Sequence, residues 1–244
     1  MGAMRTACCM VRRAAAATAG LILLAGCGAS GGSAKDNGKG SGGRTAEASR
    51  YTENIPGVGA KLRSRIPGDT RQVVAVYGKG ADSADATLAL YTKTAKGWER
   101  TVAWPAHNGR KGWTTDHHED DMRSPVGVFS LSDAGGVLPD PGAKLPYTHS
   151  SAFTPPTYWG KRTWHDFDHV IAVDYNRVKG TTPLDPTRPQ GQKKGGGIWL
   201  HLDHGNGTSG CVSISKAGMV SLLRTLDPRQ HPVVVMGDTA HLTD

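Results

Sequence analysis

Short apolar runs alternate with turn-forming residues along most of the chain after residue 70. Runs of this length, rich in Val, Ile, Leu and Thr and bounded by Gly, Asp or Pro, are typical of β-strands. The pattern predicts strands over 73–77, 87–92, 101–104, 126–131, 170–175, 198–202, 211–214 and 233–236. The predicted fold class is therefore mostly β, with one or two short helices.

One helix stands out against this pattern, over 216–226. Its apolar positions fall on a single face at i, i+3, i+4 and i+7: Met219, Leu222, Leu223 and Leu226. Ser215 is a good N-cap, and Pro228 marks the end of the helix. A shorter helix is predicted within 58–66.

In two long stretches, 132–169 and 176–197, the apolar residues follow neither the strand period nor the helix period. These stretches contain five and three prolines, respectively. Irregular segments of this length are usually binding loops or lids, and the alternative is that they hold weak strands. Tyr158 and Trp159, in the first stretch, are candidates for lining a peptide groove, with core packing as the alternative.

The first 26 residues have the layout of an export signal. A basic segment, 1–13, precedes an apolar stretch of 11 residues, 14–24, which is too short to span a bilayer. The stretch leads into Leu-Ala-Gly-Cys27, which resembles the bacterial lipobox and implies that Cys27 is lipidated. An ordinary secretory signal with an incidental Cys is the alternative.

The segment 28–50 is small, polar and Gly-rich, so it cannot bury a core and is predicted to be a flexible tether. We therefore expect a lipoprotein signal peptide over 1–26, the lipidated Cys27 with its linker over 27–50, and one folded domain over 51–244. The expected location is the extracytoplasmic face of the cell membrane, lipid-anchored in the cell envelope.

Composition narrows the class of protein. Of 244 residues, 37% are hydrophobic and 20% are charged, which excludes a coiled coil, a collagen and a polytopic membrane protein. The net charge is +8, but no basic run is interleaved with aromatics, so nucleic acid is not an expected partner. A mild basic excess suits a protein that works near an anionic wall or membrane surface.

Cysteine usage directs attention to one position. The four cysteines are Cys8, Cys9, Cys27 and Cys211. Removal of the signal and lipidation of Cys27 would leave Cys211 as a single thiol in an oxidising compartment. Such a thiol is either buried and inert or functional.

The residues before Cys211 favour a functional thiol. Strand alternation places Trp199, His201 and Asp203 on one face, and Cys211 opens the next strand. A neighbouring His can take the thiol proton and hold it as imidazolium. Gly210 lets backbone N–H groups, its own and that of Cys211, approach a developing oxyanion.

These residues carry a family resemblance. Leu200-His201 followed by Thr208-Ser209-Gly210-Cys211-Val212 resembles the signature of the L,D-transpeptidase (YkuD-type) family. Upstream, the segment 124–129, SPVGVF, is similar to the family's Thr-Pro-x-Gly-x-Phe strand, with Ser for Thr. The resemblance covers roughly residues 70–237. The chain departs from the family in its shorter His-to-Cys spacing and in having Ser at 209 and 213.

The resemblance implies a YkuD-like β-sandwich that needs no cofactor and no metal. Cys211 would attack the carbonyl of the third residue of a peptidoglycan stem tetrapeptide, and His201, or alternatively His204, would be the base. An amine of a neighbouring stem would then take the acyl group, making a 3→3 cross-link. Water as acceptor would give an L,D-carboxypeptidase. Carbapenems, a class of β-lactam, are expected to acylate the Cys.

The candidate substrate-binding residues are Thr208, Ser209, Tyr158 and Trp199. The other ring nitrogen of the base should be held by a backbone carbonyl or by Asp203. Two further charged runs, 116–121 and 164–169, resemble metal clusters. The first is more often a solvated loop, but it could instead face the active site, because it leads directly into the Ser124-Pro125 strand. The second is more often a strand edge with packed aromatics.

Two other function classes stay open at this point. One is a zinc-dependent murein peptidase that uses His201, His204 and an acidic partner. The other is a non-catalytic wall-binding lipoprotein of the same fold.

Overall fold

The computed structural model describes residues 50–244, so the predicted signal peptide, Cys27 and nearly all of the linker lie outside the described residues. The strands are β1 Tyr51–Thr52, β2 Gln72–Gly78, β3 Asp85–Thr94, β4 Gly97–His107, β5 Trp113–Thr114, β6 Ser124–Pro125, β7 Gly127–Ser130, β8 Ala134–Gly136, β9 Tyr147–His149, β10 Val170–Ala172, β11 Trp199–Leu202, β12 Val212–Ile214 and β13 Val233–Asp238. The helices are α1 Ala60–Arg63, α2 Lys216–Thr225 and α3 Thr239–Thr243. Short 3-10 turns occupy Ser151–Phe153, Thr157–Trp159, Lys161–Thr163, Gln192–Lys194 and Pro228–Gln230.

Most of these strands form one mixed sheet, which confirms the mostly β prediction. Its order is β7-β13-β2-β3-β4-β12-β11-β10-β8-β9, with β1 paired to β4, while β5 and β6 pair separately. A large sheet with few short helices fits a YkuD-like β-sandwich. Each of the eight predicted strands is present, although β10 ends early because the backbone N–H of Asp174 crosses to the carbonyl of Ser130.

The sheet is buried on both faces, which gives the domain two apolar clusters. Val74 and Leu88 belong to one cluster, and Val73 and Tyr91 belong to the other. Adjacent residues of β2 therefore serve opposite cores, as the period of two requires. This explains why β2 has almost no polar position despite its place in a mixed sheet.

Helix α2 supports the strands that carry the candidate chemistry. The Ser215 hydroxyl caps it by accepting from the Gly218 N–H, and the four predicted apolar residues are fully buried. They share a cluster with Leu200 and Val212, so one face of β11 and β12 points toward α2. The alternate residues of these strands therefore face away from the helix.

The two long stretches differ from each other. The first, 132–169, contains β8, β9 and three 3-10 turns, so weak strands were indeed hidden in it. The second, 176–197, contains no strand and is held from within by Asn176, whose amide donates to the carbonyls of Gly191 and Gly195. The predicted helix within 58–66 is limited to α1. None of the helices between residues 50 and 244 is long and apolar enough to cross a membrane.

Candidate active site

Strands β11 and β12 bring the candidate nucleophile and base to the same face of the sheet. They are parallel neighbours, with His201 opposite Ser213 and Leu200 opposite Val212. Cys211 immediately precedes β12, two residues before Ser213, so it lies diagonally across from His201. Strand spacing and rise put the two Cα atoms about 8 Å apart. Alternation turns both side chains away from α2.

The Cys211 thiol lies against the backbone of the segment that leads into β11. Its Sγ accepts from the Trp199 N–H at 3.4 Å and donates to the Gly197 carbonyl at 3.5 Å. Burial raises the pKa of the thiol to about 11, and the Trp199 N–H acts in the opposite direction. At neutral pH the free protein therefore holds a protonated thiol, which needs a base to react.

His201 is suited to take that proton. It is buried, and its Nδ1 lies 2.8 Å from the Leu202 carbonyl oxygen. Because a carbonyl only accepts, Nδ1 carries the hydrogen and Nε2 of the neutral ring is left as the acceptor. Burial lowers the pKa of His201, which keeps the ring neutral, although the nearby Asp166 charge acts against this shift.

The partner of His201 is thus the backbone carbonyl, one of the two options that the sequence left open. The carboxylate of Asp203 pairs with two other side chains. Its Oδ1 accepts from the Ser213 hydroxyl at 2.8 Å and lies 2.8 Å from Nδ1 of His107. Ser213 therefore joins a polar group between β4 and β12.

His204 has a different environment from His201. Its Nδ1 lies 3.0 Å from Oδ2 of the buried Asp166, and this carboxylate raises the pKa of His204. The two imidazoles are stacked, with centroids 6.5 Å apart and an 11° angle between planes. A charged His204 lowers the pKa of His201, which favours the neutral form of the latter.

The loop before Cys211 is held by a chain of short hydrogen bonds. The Thr208 hydroxyl donates to the Cys211 carbonyl at 2.6 Å and accepts from the Gly210 N–H at 3.1 Å. Thr208 is buried and its hydroxyl is used within the loop, whereas Ser209 is exposed. The Gly210 N–H is likewise engaged in the free protein, so its role as an oxyanion donor stays a prediction.

Gly210, directly before the nucleophile, is a position where close approach leaves little room for a side chain. Its φ of +144° is a conformation that other residues rarely adopt. A Cβ there would come within 3.0 Å of the Arg123 carbonyl oxygen and 3.3 Å of Ile198 Cδ1. The motif therefore needs Gly directly before Cys211.

Ser124 ties the Ser-Pro segment to the nucleophile loop, and its replacement gives a testable result. Its buried hydroxyl donates to the Gly210 carbonyl at 2.7 Å and accepts from the Gly109 N–H at 2.9 Å. Ser124→Ala leaves both groups unpaired, so we expect a loss of about 1–3 kcal/mol in the free energy of unfolding. Urea denaturation measures the loss. Ser124→Thr keeps the hydroxyl and should lose much less, and equal losses in the two variants would contradict this role.

Aromatic rings line the face on which His201 lies. Phe167 makes edge contacts with Trp199 at 5.1 Å and with His201 at 5.3 Å between centroids. Trp159 packs against Phe167 at 6.1 Å. Tyr158 is 64% exposed, next to Trp159. Of the two aromatics expected to pack in the run 164–169, Phe167 does so, but Trp164 is 43% exposed and the expectation was wrong for it.

Two residues near the site were not assigned a role from the sequence. Asp166 reaches His204 because the Leu202 N–H donates to the Asp166 carbonyl at 2.9 Å, a pairing between distant segments. His117 is buried, with Nδ1 3.0 Å from Oδ1 of Asp121. A side chain at Gly210 would come within 3.5 Å of its Cε1, so His117 lies beside the nucleophile loop. The only available signal was that the charged run leads into the Ser-Pro strand.

The charged runs do not assemble a metal site in the part of the chain that the structure describes. Within residues 50–244, no group of three or more His, Cys, Asp or Glu side chains is arranged to hold a metal ion. Asp116 forms an ion pair with Lys194 at 2.5 Å, and His118 is exposed. The zinc peptidase alternative therefore has no such ligand set among these residues.

Comparison with known proteins identifies the family. The family model described as the L,D-transpeptidase catalytic domain, YkuD, matches residues 81–235. A search of curated proteins gave no match. A solved structure of Bdellovibrio bacteriovorus Bd1075 is similar with 16% identity and a TM-score of 0.38, and the match covers 68% of this chain and 48% of that chain. The present chain thus matches about half the length of that protein. Since the family model covers more than half of the chain, the chain belongs to the L,D-transpeptidase (YkuD) catalytic-domain family.

Proposed function

We propose that this protein is a peptidoglycan L,D-transpeptidase that makes 3→3 cross-links through a thioester on Cys211, with His201 as the base. The observation that carries the proposal is the state of His201. Its Nδ1 is held by the Leu202 carbonyl, burial lowers its pKa and so favours the neutral ring, and it shares a sheet face with the thiol. A protonated thiol and a neutral imidazole form the pair that general-base activation requires.

Acylation follows from this arrangement. Nε2 of His201 takes the Sγ proton while Sγ forms a bond to the carbonyl carbon of the third stem residue. The carbonyl oxygen becomes an oxyanion, for which the Cys211 and Gly210 N–H groups are the proposed donors. The C–N bond then breaks, and the proton on Nε2 passes to the nitrogen of the leaving D-Ala.

Transfer to the acceptor reverses the proton path. The amine of a neighbouring stem attacks the thioester carbon and gives a proton to Nε2 of His201. The C–S bond breaks, the new amide forms, and the thiolate takes the proton back. Water in place of the amine would release a tripeptide, which is the carboxypeptidase outcome.

His204 is proposed as a charged neighbour of the base, and its partner Asp166 offers a test. The pKa of His204 is raised in the folded protein, so the pair stabilises the fold fully below about pH 6.5, the unfolded value. This stabilisation is lost as pH rises through the folded pKa. Asp166→Asn should therefore cost about 1–2 kcal/mol at pH 5.5 and progressively less at higher pH.

Urea denaturation of the wild type and Asp166→Asn across pH 5.5–9 measures this difference. An NMR titration should also show a lower His204 pKa in the variant. A stability difference that is the same at every pH would show that the loss comes from packing and not from the ion pair.

The lipid anchor at Cys27 is proposed on the sequence alone. It would hold the catalytic domain at the outer face of the cell membrane, within reach of the wall. Cys27→Ala should move the protein from the membrane fraction to the soluble one. A protein that stays soluble with Cys27 intact would favour an ordinary secretory signal.

Product analysis tests the proposed reaction directly. The full chain is incubated with purified disaccharide-tetrapeptide, and the products are sequenced by tandem mass spectrometry. We expect a dimer in which one D-Ala is lost and the link joins the third residues of two stems. Tripeptide alone would indicate a carboxypeptidase. Activity that a chelator abolishes would support the zinc alternative, and no product would favour the wall-binding alternative.

A further inference from the structure

Three exposed aromatic side chains are concentrated on one loop. Among residues 50–244, the exposed large hydrophobic side chains are Tyr158, Trp159, Trp164 and Val178. The first three fall within seven consecutive residues. We call these three residues the aromatic ledge. Large apolar groups left in water in such a cluster mark an interaction surface more often than chance exposure does.

The ledge is held in a defined shape. Its residues lie in or beside two 3-10 turns, Thr157–Trp159 and Lys161–Thr163, which are joined at Gly160. Gly160 has a φ of +88°, which permits the sharp change of direction. The Thr163 hydroxyl and N–H both bond to the Gly160 carbonyl, at 3.0 and 3.2 Å. A surface that is already ordered loses little entropy when it binds.

The ledge is continuous with the candidate active site. Trp159 packs edge-on against Phe167, and Phe167 packs edge-on against His201. The centroid distances of 6.1 and 5.3 Å put the Trp159 ring at most about 11 Å from the proposed base. A substrate held at Cys211 can therefore extend onto the ledge.

The proposed substrate is long enough to reach away from the thiol along this face. The attacked carbonyl belongs to the third stem residue, and the first stem residue is attached to a sugar of the glycan strand. Three extended residues span about 10–11 Å. With the third residue at Cys211, a stem that extends along the face of His201 and Phe167 carries its sugar about 10 Å toward the ledge.

We propose that the aromatic ledge is a saccharide subsite, which binds the amino sugar that carries the stem peptide. The C–H groups on one side of a pyranose ring are weakly positive, and the face of an indole is negative. Stacking of the sugar on Trp159 satisfies both and covers the exposed ring. This inference rests on the proposed function, because it uses the position of the stem in that reaction.

Binding to an inactive background tests the subsite without turnover. In the Cys211→Ala protein, calorimetry compares disaccharide-tetrapeptide with the free tetrapeptide. We expect the glycan-bearing form to bind about 10-fold more tightly, and Trp159→Ala to reduce this ratio to about 1–2. Val178→Ala removes the other exposed apolar side chain and should leave the ratio unchanged. Equal affinities in the parent, or a ratio that Trp159→Ala does not change, would overturn the inference.

Two further measurements distinguish this inference from its alternatives. Carbapenem acylation of the wild-type protein reports on the proposed function. If the adduct forms but the two peptides bind equally well, only the saccharide subsite is overturned. If the glycan-bearing peptide binds more tightly but no adduct forms, the subsite is supported and the transpeptidase activity is overturned. Sedimentation with phosphatidylglycerol vesicles tests a membrane contact. Vesicle binding that is lost in Trp159→Ala, together with equal affinities for the two peptides, would assign the ledge to the membrane and overturn the proposal.

Discussion

Cys211→Ala should abolish cross-linking while the protein stays folded. The thiol is the only cysteine sulfur within residues 50–244, and it lies on the sheet face shared with His201. Without Sγ no thioester can form, so we expect the rate of dimer formation to fall by at least about 1,000-fold. Mass spectrometry of the products at fixed times measures the loss.

The fold should tolerate this change, because the thiol makes only two weak contacts, with the Trp199 N–H and the Gly197 carbonyl. Circular dichroism and thermal unfolding provide the check. Asn206→Ala is a matched control, since Asn206 is exposed in the same loop and has no proposed role. Residual cross-linking in a folded Cys211→Ala protein would rule out the thioester route.

His201→Gln should slow acylation by about 100- to 10,000-fold, the usual contribution of a general base. Gln removes the titrating ring and keeps a side chain of similar reach. His204→Gln should cost about 10-fold or less, because His204 is paired with Asp166 and acts on the base only through its charge. Single-turnover acylation by a chromogenic β-lactam gives both rates.

The pH dependence separates the two histidines further. Burial lowers the pKa of His201, so the wild-type acylation rate should fall on the acid side only below about pH 6.5. Loss of the His204 charge removes one cause of that lowering. In His204→Gln the acylation rate should therefore begin to fall at a higher pH than in the wild type, on the acid side of the profile. A variant His204→Gln that is as inactive as His201→Gln would instead identify His204 as the base.

The sequence alone located the reactive strands because their pattern is local. Alternation in β11 placed His201 opposite to the core side, and Gly210 was singled out because its missing Cβ lets other groups come close to the backbone. The buried faces of the predicted strands and of the helix followed from the spacing of apolar residues. Leu222 of α2, for example, is fully buried, as predicted. These features depend on neighbours within a few residues of each other.

The rest of the site depends on contacts between distant segments. Asp166 reaches His204 through the pairing of its own carbonyl with the Leu202 N–H, and no period in the sequence encodes that pairing. Phe167 and His117 are brought to the site by loops in the same way. Strands β8 and β9 were missed because Ala-Gly-Gly and Tyr-Thr-His carry no apolar alternation. The Leu202 carbonyl as the partner of His201 could be decided only by geometry.

The most direct test of the central claim is intact-protein mass spectrometry of the full chain after incubation with a carbapenem. The account predicts one covalent adduct on the wild type, none on Cys211→Ala, and slow formation on His201→Gln. An adduct on Cys211→Ala, or none on the folded wild type, would contradict the assignment of Cys211 as an acylatable nucleophile activated by His201.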